Sequence, residues 1–374
     1  MRKFVVFFIL FFIFSLNVFA ENAKKSILIE YTTGEVLMDE NAYEHAAPAS
    51  MTKMMTLLII MEHIDEDKIK LTDKVTISEN ASNMGGSQVF LQPNEVMTVD
   101  ELIKSICIAS ANDSSVALAE YIAGTEEKFV KMMNDKVKEL GLSNTNFENV
   151  HGLDSESHYS CPYDMAMIAR ELLNHPKILD YSSIYEEYLK KNDGSSVWMV
   201  NTNKLIRYYK GLDGLKTGFT ETAGYCLTAT AKRNDMRLIS VVMGSETSET
   251  RSKKTIELLD YGFNNYKLKT IFKNDINLGS VKVNYGKKDY VDLKLISDVT
   301  DLVTIENESK YDHKLRVNEI NAPVYVGDKV GVLDLYKDGK KIKSYDVTVK
   351  ESIKKANVWD LYKKNFRYLI TGNV

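Results

Sequence analysis

The sequence predicts an α/β (α+β) domain, an antiparallel sheet flanked by helices, then a small C-terminal all-β sandwich and a terminal amphipathic helix. Three observations predict it. From Ser26 to about Tyr266, helical and strand-like periodicities alternate. After about Lys269, short β-branched runs follow one another with turn residues between them. From Lys354 to Ile370, apolar residues recur at helical spacing. The length of 374 residues suits two or three domains at roughly 150 residues each.

Each element has a local reason. Ser26 to Glu30 and Gly34 to Met38 read as a hairpin about a Thr-Gly turn. Met51 to Ile64, rich in Met, Leu and Ile and free of breakers, reads as a buried helix. Val99 to Ile108 is a helix opened by a capping box, Thr98 with Glu101. Asp113 to Ala123 is another. Glu126 to Leu140 is amphipathic, and Gly141 ends it. Tyr225 to Arg233 and Met236 to Gly244 form a hairpin across Asn234-Asp235, and Thr255 to Tyr266 is a helix against them. In the second domain the strands are Ser280–Asn284, Tyr290–Ile296, Leu302–Ile305, Lys329–Tyr336 and Ile342–Val349. It holds no evident catalytic cluster, so a structural or partner-binding role is expected of it.

The two ends of the chain read as addresses. Arg2 and Lys3 precede an apolar run from Phe4 to Phe14, and Val18-Phe19-Ala20 supplies a cleavage site. This is the pattern of a secretory signal, with the mature chain starting near Glu21. The run is short of the roughly 20 residues a membrane span needs. In the last helix Val358, Trp359, Tyr362, Phe366, Leu369 and Ile370 share one side, opposite Asp360, Lys363, Lys364 and Arg367. Aromatic residues facing a basic stripe suit an anionic membrane surface. Docking on the β domain is the other use of such a face. The expected division is therefore 1–20 signal, 21–268 first domain, 269–352 β domain and 353–374 helix.

Composition excludes several classes. At 44% hydrophobic and 27% charged, the chain buries a core and is not a disordered protein. A net charge of -4 disfavours nucleic acid as a partner. No C-x-x-C or H-E-x-x-H occurs, against common zinc sites. Cys107, Cys161 and Cys226 are odd in number and far apart, so they read as core-filling thiols.

Three motifs carry chemistry. Ser50-Met51-Thr52-Lys53 opens the buried helix, Ser110-Ala111-Asn112 lies between two helices, and Lys216-Thr217-Gly218 begins a strand pattern. Residues i and i+3 share a helix face, so Ser50 and Lys53 point the same way, with Met54, Leu57 and Met61 continuing inward. A lysine at the head of an apolar stripe is desolvated, which lowers its pKa. A neutral amine can take the serine proton and make a nucleophile. The helix N-terminus adds its positive dipole end and free N–H groups, which can hold an oxyanion. S-x-x-K alone is weak, since Ser352-Ile353-Lys354-Lys355 matches it too, and Ser78-Glu79-Asn80 matches S-x-N. The ordered trio in an exported chain is specific, and it is that of penicillin-binding proteins and β-lactamases.

The sequence resembles the serine-type D-alanyl-D-alanine carboxypeptidases, the low-molecular-mass penicillin-binding proteins of type 5. Nearly the whole chain carries the likeness. Ala47 to Met54 looks like the nucleophile segment, and Phe90-Leu91-Gln92-Pro93 the stretch before the second motif. Asn149 to Asp154, with Tyr159-Ser160 and Asp164-Met165-Ala166, matches a downstream signature. Gly214 to Gly218 and Gly224-Tyr225 match the third motif. The resemblance implies the penicillin-binding-protein/β-lactamase-like serine transferase fold. It also implies a role for each site residue. Ser50 would attack the penultimate D-alanine carbonyl of a peptidoglycan stem peptide, and Lys53 would be general base. Ser110 would relay the proton to the leaving amine. Asn112 would hold the substrate amide and Lys53. Lys216 and Thr217 of the Lys216-Thr217-Gly218 motif, with Arg251, would face the substrate carboxylate. The backbone N–H groups of Ser50 and Phe219 would form the oxyanion hole. β-Lactam antibiotics would acylate the same serine, and no cofactor or metal is implied. Phe219 stands where some relatives have histidine, and Ala111 where many have glycine. His151 reads as a structural residue of its loop.

A β-lactamase shares the trio but needs a deacylating acid such as an E-x-x-x-N glutamate, and Glu148 and Glu156 lack that context. A penicillin-binding but non-catalytic wall module would lack one of Ser50, Lys53, Ser110, Asn112 or Lys216, and all five are present. No G-x-S-x-G occurs, against a Ser-His-Asp hydrolase.

Overall fold

The computed structural model describes residues 25–191, 193–306 and 309–371. The expected signal, residues 1–20, lies outside them, as do the side chains of Lys364, Arg367, Leu369 and Ile370. The chain divides into two compact units, one ending at Phe263 and the other starting at Asn264.

The first unit is built on a five-stranded antiparallel sheet. Its strands run in the order Val36–Glu40, Lys25–Glu30, Met236–Ser245, Gly224–Arg233 and Leu212–Thr220. Cys226 to Ala231 and Leu238 to Met243 are buried without a break, because both faces of the sheet are covered. Helix Pro162–Leu172 packs on the two neighbouring strands Lys25–Glu30 and Met236–Ser245. Helix Lys53–Asp65 is buried at every position from Lys53 to Met61, which explains why its sequence is apolar all round. It meets helices Pro162–Leu172, Asn112–Ala123 and Glu126–Glu139. The capping box on Val99–Ala109 is formed, with Thr98 Oγ1 accepting from Glu101 N at 3.2 Å and Glu101 Oε2 accepting from Thr98 N at 2.8 Å.

Several boundaries differ from expectation for local reasons. Ser50 is not in the α-helix but in a 3₁₀ turn, Ala49–Thr52, that leads into it. The second strand starts at Val36 because Gly34, at φ +74°, is spent in the turn, its N–H bonding to Glu30 O at 2.9 Å. The helix expected from Thr255 begins at Ser248. Its first turns are polar, yet Thr250 and Arg251 are buried there. A two-stranded ribbon, Glu186–Lys190 with Ser196–Val200, was not expected at all.

The second unit is all-β apart from its terminal helix. Its main sheet has the order Tyr311–Val317, Gly331–Lys337, Lys340–Val349, Tyr290–Leu295, Ser280–Asn284 and Ile320–Asn321. Strand Tyr266–Phe272 pairs with Val299–Thr304, so it belongs to this unit. Val283, Leu293, Val299, Leu333 and Val347 are at the centre of its core. The helix Val358–Thr371 follows, with Val358, Trp359, Tyr362 and Phe366 exposed. No described helix is long and apolar enough to cross a membrane.

Candidate active site

The nucleophile turn is held from both sides. Ala49 has φ +47°, and Pro48 precedes it, so the chain turns sharply into Ser50. A 3₁₀ turn repeats every three residues, which keeps Ser50 and Lys53 on one side. Lys53 Nζ lies 3.0 Å from Ser50 Oγ. It also donates to Asn112 Oδ1 and to the His151 carbonyl, each at 2.6 Å. Lys53 is fully buried. Desolvation, and then the nearby charge of Lys216, hold its pKa well below the usual lysine value. A neutral amine has two hydrogens and one lone pair. Once the amine is neutral, its two hydrogens can stay on the carbonyl oxygens and its lone pair can turn to Ser50.

Asn112 is oriented by its neighbours. Its Nδ2 donates to Gly85 O at 2.6 Å, which turns Oδ1 toward Lys53, and its backbone N–H donates to Ser87 O at 2.7 Å. Asp113, which the sequence did not single out, fixes the same loop. Its buried carboxylate accepts from Val89 N and Leu91 N, both at 3.1 Å. Ser110 ends its helix at φ +62°, and its buried Oγ makes no hydrogen bond among the described residues. The structure therefore joins Ser50, Lys53 and Asn112 directly, and leaves the Ser110 hydroxyl unpaired beside them in sequence.

The third motif lies within the edge strand Leu212–Thr220, not at its start. A Cβ on Gly218 would come within 2.9 Å of Pro48 O and 3.2 Å of Ser50 N. Only glycine lets this strand lie so close to the nucleophile turn. Lys216 is buried, and desolvation lowers its pKa to about 8. Its Nζ donates to Thr217 O at 3.1 Å. Thr217 Oγ1 donates to Thr202 Oγ1 at 2.6 Å. Arg251 is buried, its Nε has no partner among the described residues, and desolvation is the main cause lowering its pKa. Lys216 and Arg251 are in electrostatic reach of each other. Two buried cations with spare donors form a site for an anion such as a carboxylate. Phe219 is half exposed and packs on Tyr225, ring centroids 4.4 Å apart.

The Asn149–Asp154 loop closes the floor. Asn149 Oδ1 accepts from Gly152 N at 2.6 Å and from His151 N at 3.2 Å. Leu153 N donates to His151 Nδ1 at 3.2 Å, so the ring proton is on Nε2. Burial holds the His151 pKa down at about 3, which keeps the ring neutral beside Lys53. Asp154 Oδ1 accepts from Thr220 Oγ1 at 2.8 Å, tying the loop to the edge strand. His151 thus contributes its carbonyl, not its ring, to Lys53. The three cysteines are free and buried.

Residues 15–247 match the D-alanyl-D-alanine carboxypeptidase family, and residues 266–355 the C-terminal domain of penicillin-binding protein 5. A D-alanyl-D-alanine carboxypeptidase of Bacillus subtilis, DacF, is 48% identical over 340 residues, 90% of this chain and 87% of that protein. The chain belongs to the D-alanyl-D-alanine carboxypeptidase family. The carboxypeptidase fold follows in solved structures. Penicillin-binding protein 5 from Haemophilus influenzae superposes with a TM-score of 0.73 at 33% identity, over 89% of this chain and 98% of that one. Penicillin-binding protein D2 from Listeria monocytogenes, solved in its ampicillin-bound form, matches with a TM-score of 0.59 at 31% identity, over 66% of this chain and all of that one. This carboxypeptidase is accordingly a serine peptidase of the penicillin-binding fold with an all-β C-terminal domain.

Proposed function

We propose that the site removes the terminal D-alanine of peptidoglycan stem pentapeptides through an acyl-enzyme on Ser50. Lys53 takes the Ser50 proton as Oγ attacks the penultimate D-alanine carbonyl. The oxyanion rests on the N–H groups of Ser50 and Phe219. The tetrahedral intermediate collapses, the peptide C–N bond breaks, and the proton passes through Ser110 to the leaving amine. Water then attacks the ester and releases the shortened stem. Lys216, Thr217 and Arg251 bind the substrate carboxylate, and Asn112 its amide. Penicillins acylate the same serine.

The observation that carries this is the Lys53 geometry: buried, in contact with the carbonyl oxygens of Asn112 and His151, and 3.0 Å from Ser50 Oγ. The test is intact-mass spectrometry of the protein with a penicillin, on wild type and Ser50→Ala, paired with D-alanine release from a stem pentapeptide. A stable adduct on wild type alone, with D-alanine release, is expected. Rapid loss of the adduct with hydrolysed drug would mean a β-lactamase, and no adduct would end the proposal.

The address at each end supports work outside the cytoplasm. Residues 1–20 direct export, and the unit that ends at Phe263 does the chemistry. The β domain starts earlier than the expected residue 269, with strand Tyr266–Phe272, and leads in sequence to the terminal helix. The helix holds the enzyme on the extracytoplasmic face of the cell membrane, as its exposed Trp359, Tyr362 and Phe366 suit a lipid interface.

A further inference from the structure

The turn that carries Ser50 is pinned by a histidine from a distant part of the chain. Thr52 stands between Ser50 and Lys53 in the chain and is fully buried. Its Oγ1 lies 2.8 Å from Nε2 of His158, which is buried as well. The other ring nitrogen settles the direction of that bond. His158 Nδ1 accepts from the backbone N–H of Glu148 at 3.0 Å, so it carries no proton. The proton of the neutral ring is then on Nε2, and Nε2 donates to Thr52 Oγ1. Burial holds the His158 pKa down at about 4, against the pull of the Glu148 and Asp154 carboxylates. His151, in electrostatic reach of it, is neutral for the same reason. Phe147 fixes the plane of the imidazole, ring centroids 5.6 Å apart and 60° between the planes.

The ring belongs to the stretch that also holds Lys53. His151 gives its carbonyl to Lys53 Nζ at 2.6 Å, and further along the same stretch His158 gives its Nε2–H to Thr52. Beside them Val150 O accepts from Thr56 Oγ1 at 2.7 Å. Thr52 and Thr56 are i and i+4, one above the other on the side that meets this stretch. The nucleophile and its base are thus clasped to one segment through the Lys53 amine, Thr52 and Thr56. Of these contacts the one from His158 acts on the 3₁₀ turn Ala49–Thr52 itself. A shift of Thr52 tilts Ser50 and Lys53 together.

We propose that His158 is a positioning residue for acyl transfer: its Nε2–H on Thr52 Oγ1 sets the attitude of the nucleophile turn, and with it the approach of Ser50 to the substrate carbonyl. The proposal rests on the Ser50 acyl-enzyme function proposed above. His158 touches no reacting atom, so it governs the rate of attack and not the affinity for the ligand.

Two measurements test it. Acylation by a penicillin is followed by rapid-quench mass spectrometry, which gives a limiting rate and a half-saturating concentration. His158→Ala and Thr52→Val should each lower the limiting rate about tenfold and leave the half-saturating concentration in place. The double variant should be no slower than either single one, because both remove the same bond. His158→Gln keeps a donor and an acceptor on one side chain and should restore most of the rate. Thr98→Ala, which removes the cap of helix Val99–Ala109, should lower the melting temperature and leave the limiting rate unchanged. The ring is then read by NMR near neutral pH, its signals assigned by their loss in His158→Gln. A slowly exchanging Nε2–H that exchanges faster in Thr52→Val is expected. A proton on Nδ1, wild-type acylation in His158→Ala, losses that multiply in the double variant, or an equal loss in Thr98→Ala overturns the proposal. No acylation of wild type, with the Nε2–H signature intact, would instead overturn the acyl-enzyme function and leave the His158 clasp on the turn standing.

Discussion

Gly152 is the position where one methyl group should do the most harm to chemistry it never touches. Its φ is +89°, and a Cβ there would lie 1.9 Å from the Ala49 carbonyl oxygen, 2.4 Å from its carbon and 2.8 Å from Thr52 Oγ1. Real Cβ contacts essentially never fall below 3.0 Å, so backbone must move by about 1.1 Å, from the 1.9 and 3.0 Å distances. The two nearest obstructing atoms belong to Ala49, the residue before Ser50, so the nucleophile moves with them. A misplacement of about 1 Å costs roughly 100-fold in rate. Positive φ on alanine costs about 1–2 kcal/mol and the overpacking about 1–3 kcal/mol. Together, at about 2–5 kcal/mol, these should lower the melting transition of the first unit by roughly 4–20 °C. Gly152→Ala is compared with Gly141→Ala, where φ is +68° and nothing lies within 4 Å of the added Cβ. The assay is the second-order rate of penicillin acylation by stopped mass spectrometry, with melting curves on the same samples. Gly152→Ala should acylate about 100-fold slower, whereas Gly141→Ala should lose about 1 kcal/mol and keep its rate. Wild-type acylation in Gly152→Ala, or an equal loss in Gly141→Ala, would refute the coupling between this loop and Ser50.

Two further outcomes are expected. The rate of D-alanine release should fall as pH rises through about 8, because Lys216 is cationic below that value and the carboxylate end then loses a charge. Lys216→Arg should move that alkaline limb upward, and a limb that stays near 8 would exclude Lys216 as its source. Asp113→Ala strands the buried N–H groups of Val89 and Leu91, at about 1–3 kcal/mol each, and frees the loop that orients Asn112. Both stability and acylation should drop, and unchanged acylation would show that Asn112 is held without this loop.

Local signals in the sequence proved readable where one interaction makes the element. Thr98 with Glu101 marks a helix start because both bonds of the capping box lie within four residues. Ser50 and Lys53 meet for a reason that survives the change from α to 3₁₀ geometry, since both bring i and i+3 together. The remainder depends on partners distant in the chain. Strand Tyr311–Val317 carries Asp312, His313 and Lys314 on exposed positions and so looks like a loop, yet its register with Gly331–Lys337 is continuous. Strand Tyr266–Phe272 continues the helix pattern in sequence and becomes a strand only by pairing with Val299–Thr304. Asp113 has no periodic or motif signature. Its one clue is its place in the first turn of the helix opened by Asn112, and its role comes from Val89 and Leu91, more than twenty residues earlier.

The Lys53 pKa is lowered from two sides. Burial alone disfavours the ammonium, and the Lys216 cation disfavours it further. Hydrogen bonding then decides where the free base points. The carbonyl of His151 and the amide oxygen of Asn112 each take one N–H, and neither can donate, so they cannot compete for the lone pair. Ser50 Oγ, 3.0 Å from Nζ, is the remaining contact, and it is there that the free base would take a proton. Asn112 offers its oxygen only because Gly85 O takes its Nδ2, and His151 offers its carbonyl only while Asn149 holds the loop. The basicity of one amine is therefore distributed over the glycine-rich loop at 85–87, the helix opened by Asn112, the Asn149–Asp154 loop and the edge strand of Lys216. Those are four segments far apart in the chain. The sheet order explains how they meet: Lys216 lies on the edge strand Leu212–Thr220, where the missing Cβ of Gly218 admits the Ser50 turn.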